Sequence, residues 1–287
     1  MASLRTIRRR IRSVRNTSQI PKAMEMVAAS KMRRAQLRVL ASRPYSDRIR
    51  GLIGDLAARP GQEGTHPLLE QRHARNRVGL VIMTSDRGLC GALNSNVLRR
   101  ATAEILEAGG PAVTELITVG RKGHEFMVRR GIQVAATFIN LGDYPGLVAA
   151  QPIARIVMDE FMARRIDAAY VIYPRFVNTL TQRVTVTQIL PVVPSAPDGP
   201  ALEYIFEPSA PEILAALLPR YVEVQVYQAL LETIASKYSA QMIAMRNATE
   251  NAKELIDSLT LSYNKARQAA ITKEIAEIAV GSGALSQ

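Results

Sequence analysis

The sequence has no tryptophan, a single cysteine and only 5% aromatic residues. The lone Cys90 excludes an internal disulfide and suits a reducing compartment. Alanine-rich, aromatic-poor composition argues for helices over a β-sandwich. No uninterrupted apolar run reaches the length needed to cross a bilayer, so membrane contact is expected only through partners. Glycine and proline are both missing between Pro219 and Gly281, so nothing obvious breaks a helix there.

What fills that stretch is a seam. Tyr227, Leu231, Ile234, Tyr238, Met242, Met245, Ala248, Ala252, Leu255, Leu259, Tyr263, Ala266 and Ala270 follow three–four spacing. The spacing predicts one helix from Pro219 to Val280, a rod of roughly 90 Å at about 1.5 Å per residue. Pro219 is expected in its first turn. Polar residues, Glu232, Lys237, Arg246 and Glu250 among them, are expected on the outer face. Such a stripe needs a partner helix. The final stretch, Ile275 to Gln287, holds one charge, Glu277, and suits an apolar or neutral collar, or a frayed tail.

Charge is lopsided. The formal net charge is +12. Residues 1–50 hold 14 basic residues against Glu25 and Asp47, and the rest of the chain is balanced at 23 of each sign. An acidic partner facing the N-terminal segment is implied. That segment reads as a second long helix, with Leu4, Ile7, Ile11, Val14, Met24, Val27, Ala28, Met32 and Ala35 in its stripe. Pro21 is expected to kink or interrupt it, and Pro44 to mark a second irregularity. Three readings compete for it: an organellar transit peptide, a nucleic-acid-binding arm, and the solvated or protein-facing side of a coiled coil. The third is preferred, because the helical pattern runs past residue 30 without a cleavage-like break and lacks interleaved aromatics.

Between the terminal segments the periodicity changes. A loop is expected over Arg59–Arg77. Val78–Thr84 is a continuous apolar run, as in a buried parallel strand. Strands are expected at Glu115–Val119, Gln133–Phe138, Ala168–Tyr173 and Val184–Leu190, with a possible edge strand at Leu202–Phe206. Helices are expected at Ala92–Ala108, Arg121–Arg130 and Gln151–Arg165. The alternation is that of an α/β domain with a mostly parallel sheet. The domains expected are residues 1–58, a coiled-coil helix; 76–207, the α/β domain; and 210–287, the second coiled-coil helix.

No persuasive catalytic constellation emerges. Gly88 and Gly91, and Gly120 and Gly123, open helices after strands but match neither a dinucleotide fingerprint nor a Walker loop. Two tight turns explain them. Cys90 is expected to be a structural thiol, and His66, His73 and His124 are too scattered for a metal site. No catalytic residue, cofactor or metal is therefore assigned. Three functions remain on the residues alone: a mechanical coupler, a coiled-coil nucleic-acid binder, and an α/β enzyme with a helical dimerisation arm.

Four stretches carry a resemblance: Ile20–Met32 (IPKAMEMVAASKM), Thr84–Asn94 (TSDRGLCGALN), Phe176–Gln182 (FVNTLTQ) and Tyr263–Ile275 (YNKARQAAITKEI). Over nearly its whole length the chain resembles the gamma subunit family of the rotary F-type ATP synthase. The resemblance implies an antiparallel coiled coil of the two terminal helices plus a central Rossmann-like α/β domain. It implies a non-catalytic central stalk, coupling proton flow to ATP synthesis or hydrolysis in beta subunits. Its implied partners are three alpha and three beta subunits, the epsilon subunit and the membrane c-ring, without nucleic acid. Lys22 and Met24 would meet acidic lever loops of beta; Arg267 and Gln268 another beta loop, with Thr272 and Glu274 near it. The start at the family's first helix suggests a bacterial origin, hence the cytoplasmic face of the plasma membrane. A dithiol switch of the chloroplast type is not expected.

Overall fold

A continuous apolar strand run in this sequence has to be covered on both faces, and the computed structural model shows how. It describes residues 4–57, 66–72, 76–194 and 209–285, with no side-chain account of residue 57 or of 279–285. The elements are α1 (Leu4–Ala57), β1 (Val78–Met83), α2 (Leu93–Glu107), β2 (Thr114–Val119), α3 (Arg121–Arg129), β3 (Ala136–Phe138), α4 (Gln151–Met162), β4 (Ala168–Phe176), β5 (Gln182–Leu190) and α5 (Ala210–Leu285). The chain divides into two units: Met1–Val27 with Met242–Gln287, and Ala28–Gln241.

In the larger unit the strand order is β3-β2-β1-β4-β5. The first four strands are parallel, and β5 returns antiparallel to β4 as a hairpin. Every residue of β1 is buried. Leu80 and Ile82 pack with Val97, Ala101 and Ile105 of α2 and Met127 of α3. Val81 and Met83 face the opposite layer, where Ile153, Val157 and Phe161 of α4 join Leu218, Val222 and Val226 of α5 and Ile49 and Ile53 of α1. Period-two alternation therefore feeds two cores, as a doubly covered parallel sheet requires. Ala35 and Val39 of α1 meet Leu231 and Ala235 of α5 in a third cluster. The expected mostly parallel α/β layout is what the chain forms. The possible strand at Leu202–Phe206 lies outside the described residues, as does His73.

In the smaller unit residues 4–27 of α1 run antiparallel to residues 244–267 of α5. Arg8 donates to the Tyr263 hydroxyl, and Arg246 to Glu25 at 3.0 Å. The residue numbers of each pair sum to 271, so one register governs both. Leu4, Ile7, Ile11 and Val14 are half-buried, as are Ala252, Ile256, Leu259, Tyr263 and Ala266. This is a three–four seam on both helices.

Several expectations need correction. α5 begins at Ala210, so Pro219 sits inside the helix and not in its first turn. The overlooked signal is Ser209-Ala-Pro-Glu212. The Glu212 N–H reaches the Ser209 hydroxyl at 3.4 Å, a side-chain N-cap, and that hydroxyl donates to Glu212 Oε1 at 3.1 Å. α1 is helical through Pro21 and Pro44 without interruption. Pro costs a helix interior about 3 kcal/mol, which the buried row Ala28, Ala35, Val39, Ile49 and Ile53 offsets through packing. Leu255 is 48% exposed and Ile256 takes its seam place, because four residues, not three, separate Ala252 from the next inward position. Val27 is likewise exposed, and Ala270 lies past the end of the seam. Glu232, expected outside, is buried, and Lys237 is half-buried.

Candidate partner-binding surface

The smaller unit concentrates charge without neutralising it. Residues 4–27 carry seven basic side chains and one acid, Glu25, which is paired with Arg246. Lys22 is exposed and Met24 half-buried on this helix. Among the described residues no carboxylate lies within ion-pair distance of Lys22 or Arg267. Arg267, Gln268, Thr272 and Glu274 are all exposed on α5.

The register sorts these six into two levels. Position 22 falls opposite position 249, and Arg267 is 18 residues further along α5, roughly 27 Å at the helical rise. Lys22 and Met24 thus form one group; Arg267, Gln268, Thr272 and Glu274 form another, level with the start of α1 or past it. From Arg267 to Ile278 every side chain of α5 is exposed. Ile271, Ile275 and Ile278 recur at four and three residues and are all bare to solvent. An apolar stripe on a helix with no partner among the described residues calls for cover from elsewhere. The expected collar segment begins only at Ile275, so it leaves out Ile271, whose four-residue spacing to Ile275 is legible in the sequence.

In the larger unit the crevice at the carboxyl ends of β1 and β2 is filled by the chain itself. The Asp86 carboxylate accepts the backbone N–H of Arg121 at 3.0 Å and of Asn140 at 3.1 Å. It thereby takes the anion position at the start of α3. Gly120 has φ +91°, and a Cβ there would lie 2.2 Å from the Thr84 carbonyl oxygen. Thr84 Oγ1 accepts the Gly123 N–H at 2.8 Å, so these glycines serve close packing of β1 on α3. The cavity between them, bounded also by Phe138 and Lys237, holds about 50 Å³. Small-molecule sites run to several hundred Å³. Cys90 is 2% exposed, and Asn94 Nδ2 donates to its Sγ at 3.3 Å while Asn94 Oδ1 accepts the Ser85 N–H at 3.1 Å. The thiol is buried and held within the turn between β1 and α2. No group of three potential metal ligands occurs among the described residues.

Two carboxylates stand out electrostatically. Asp143, in the loop after β3, receives Lys31 of α1 at 2.5 Å and the Tyr238 hydroxyl of α5, with Lys237 at 3.8 Å. Partial burial works to raise its pKa, but the Lys31 and Tyr238 hydrogen bonds and the Lys237 charge hold the carboxyl below the usual range. Glu232 is 4% exposed with Oε2 unpartnered. Burial pushes it above the ordinary glutamate value, against the pull of Arg175 and Arg43. Neither residue sits in a sequence pattern that would have marked it.

The comparisons with known proteins cover the whole chain. Residues 3–285 match the family model described as ATP synthase. The ATP synthase gamma chain of Roseiflexus castenholzii is 53% identical, covering 100% of both chains. That of Chloroflexus aurantiacus is 51% identical with the same coverage. Among solved structures, the central stalk and c-ring of the Tetrahymena thermophila mitochondrial ATP synthase contains a chain with TM-score 0.65 and 26% identity, covering 80% of this chain and 99% of that one. A chain of the Euglena gracilis mitochondrial ATP synthase shares the fold, with TM-score 0.68 at 20% identity over 98% of this chain and 94% of that one.

Proposed function

Taking as premise that this chain belongs to the ATP synthase gamma-chain family, we propose that it works as the central rotor shaft of such an enzyme. It has no catalytic site of its own. It couples transmembrane ion flow, through rotation, to ATP synthesis or hydrolysis in neighbouring beta subunits. Its partners are alpha, beta and epsilon subunits and the c-ring. The observation that carries this reading is the full-length family match on a chain whose two ends pair antiparallel and leave one end of α5 uncovered.

Three parts divide the work: residues 1–58 and 210–287 form the shaft, and the α/β body, residues 76–207, contacts epsilon and the c-ring. Lys22 and Met24 touch acidic loops of beta. Arg267, Gln268, Thr272 and Glu274 touch a second beta loop. Exposure, the unneutralised positive charge of α1 and the two levels support this reading. Each contact is modest, because a surface that must turn past its neighbours cannot be deeply trapped at one angle. The bare isoleucines of α5 seat in an apolar collar made by the alpha and beta subunits. Among the described residues no helix is long and apolar enough to cross a membrane, and the subunit is peripheral to the membrane complex. Its side of the membrane is the cytoplasmic face of a bacterial cell.

Reconstitution with alpha, beta and epsilon subunits tests the reading. The account expects a complex whose ATPase activity depends on this chain. Nucleotide hydrolysis by the purified chain alone, or failure to assemble, contradicts it.

A further inference from the structure

The β4–β5 hairpin ends in a turn that is held rigid while its aliphatic side chains face water. Asn178 Oδ1 accepts the N–H groups of Leu180 and Thr181 at 2.9 and 2.8 Å. The Thr181 carbonyl accepts those of Val177 and Asn178 at 3.3 and 3.2 Å. The buried Ser239 hydroxyl of α5 donates to the Thr179 carbonyl and accepts Gln182 Nε2 at 3.1 Å. The turn is thus closed on itself and fastened to α5 through Thr179 of the turn and Gln182 at the start of β5. Yet Leu180 is 77% exposed and Val177 54%.

Scattered exposed aliphatics are ordinary, but these two share a pinned turn with a charge pattern of one sign. Between Ala168 and Leu190 the only charged residues are Arg175 and Arg183. The two stand directly opposite across the strands, and like charges so placed repel. Glu232 lies near Arg175. Among the described residues no carboxylate comes within ion-pair distance of Arg183. A pinned backbone has little conformational freedom left to lose on docking. Apolar anchors beside an unmatched positive rim complement an acidic surface that offers an apolar niche.

We propose that the Val177–Thr181 turn is a docking knob for an acidic protein segment carrying an apolar niche, with Leu180 as its anchor and Arg183 as its charged rim. This rests on the rotor-shaft reading, since the segment belongs to another subunit of that complex.

The test replaces Leu180 with a photo-crosslinking amino acid in the full chain and irradiates the complex assembled from purified subunits. The expected product joins position 180 to a net-acidic peptide of a neighbouring subunit. Arg183→Glu should cut its yield roughly fivefold, as should raised salt, because a rim charge acts mainly through steering and screened attraction. Leu180→Asp should abolish competition by unlabelled chain while leaving the melting temperature of the chain unchanged. An assembled, ATPase-active complex with no cross-link overturns the docking claim alone. So does a cross-link to lipid, to a second copy of this chain, or to a peptide without acidic residues. Failure to assemble at all contradicts the shaft reading, and the knob falls with it.

Discussion

Asp143 and Glu232 are two carboxylates on one chain pushed in opposite directions by their surroundings, and each leaves a signature in stability. Asp143 has a folded pKa below its unfolded value. Its contribution is therefore fully present above the unfolded value, near 4, and is lost as pH falls through the lowered folded value. Asp143→Asn should remove that part of the acid transition in a pH series of thermal melts; an unchanged acid limb would contradict the linkage. Glu232 is raised, so the sign reverses. Its ionisation disfavours the folded state, and stability drops as pH climbs from the unfolded value through the raised one. Glu232→Gln should therefore raise the melting temperature at neutral pH by roughly 1–3 °C. A lower melting temperature would mean that the arginine attraction outweighs the burial penalty. The exposed pair Glu25–Arg246 should yield only about 0.5 kcal/mol in a double-mutant cycle, as half-solvated pairs do. None of these three roles could be read from the sequence, because burial and partners of opposite charge come from segments far apart in the chain.

The long helices were legible where periodicity spoke and obscure where it had to be counted to the residue. Three–four spacing gave their existence and the pairing partner. It failed at Leu255, because the preceding seam residues Ala248 and Ala252 offer no large side chain to fix the phase, and a choice between Leu255 and Ile256 depends on one step. The structure makes the choice testable. Ile256→Asp should lower the melting temperature by an amount consistent with a half-buried seam residue, about 1–3 kcal/mol, whereas Leu255→Asp should cost within about 0.5 kcal/mol. Equal effects would contradict the seam. The helix start was misread because Pro219 drew attention from Ser209 and Glu212, which together carry a stronger signal. Ser209→Ala should cost about 1 kcal/mol in stability, seen as fraying of the first turn by hydrogen exchange. The strands were easier. The Val78–Met83 run has too few residues for an ordinary helix and no polar face, so burial on both sides was the remaining solution. The edges were harder, since β3 has only three residues, and β4 runs on to Phe176 through a proline.

At the scale of the whole molecule, this protein does its work by shape and by what it leaves uncovered. The α/β body fills the crevice at the carboxyl ends of β1 and β2 with Asp86, Gly120 and Thr84, which leaves that edge of the sheet to structure. Positive charge gathers on α1, and Ile271, Ile275 and Ile278 of α5 stand bare. The family resemblance was legible in four short runs, but the partner contacts proposed for Lys22, Met24, Arg267, Gln268, Thr272 and Glu274 were not derivable from spacing, because a surface residue bears no mark of what will cover it. If those contacts are many and shallow, Lys22→Ala and Gln268→Ala should each lower the ratio of ion pumping to ATP hydrolysis by about twofold or less, since single rim contacts are worth under a kcal/mol, and the double variant by more than either. The most direct measurement is rotation itself. Cys90 is buried and Leu106 exposed, so Leu106→Cys gives one accessible thiol for a visible probe on this chain. With the alpha and beta subunits fixed to a surface, ATP should drive the probe around in one direction with three stops per turn. A probe that stays still, or wanders without direction while ATP is being hydrolysed, would contradict the account.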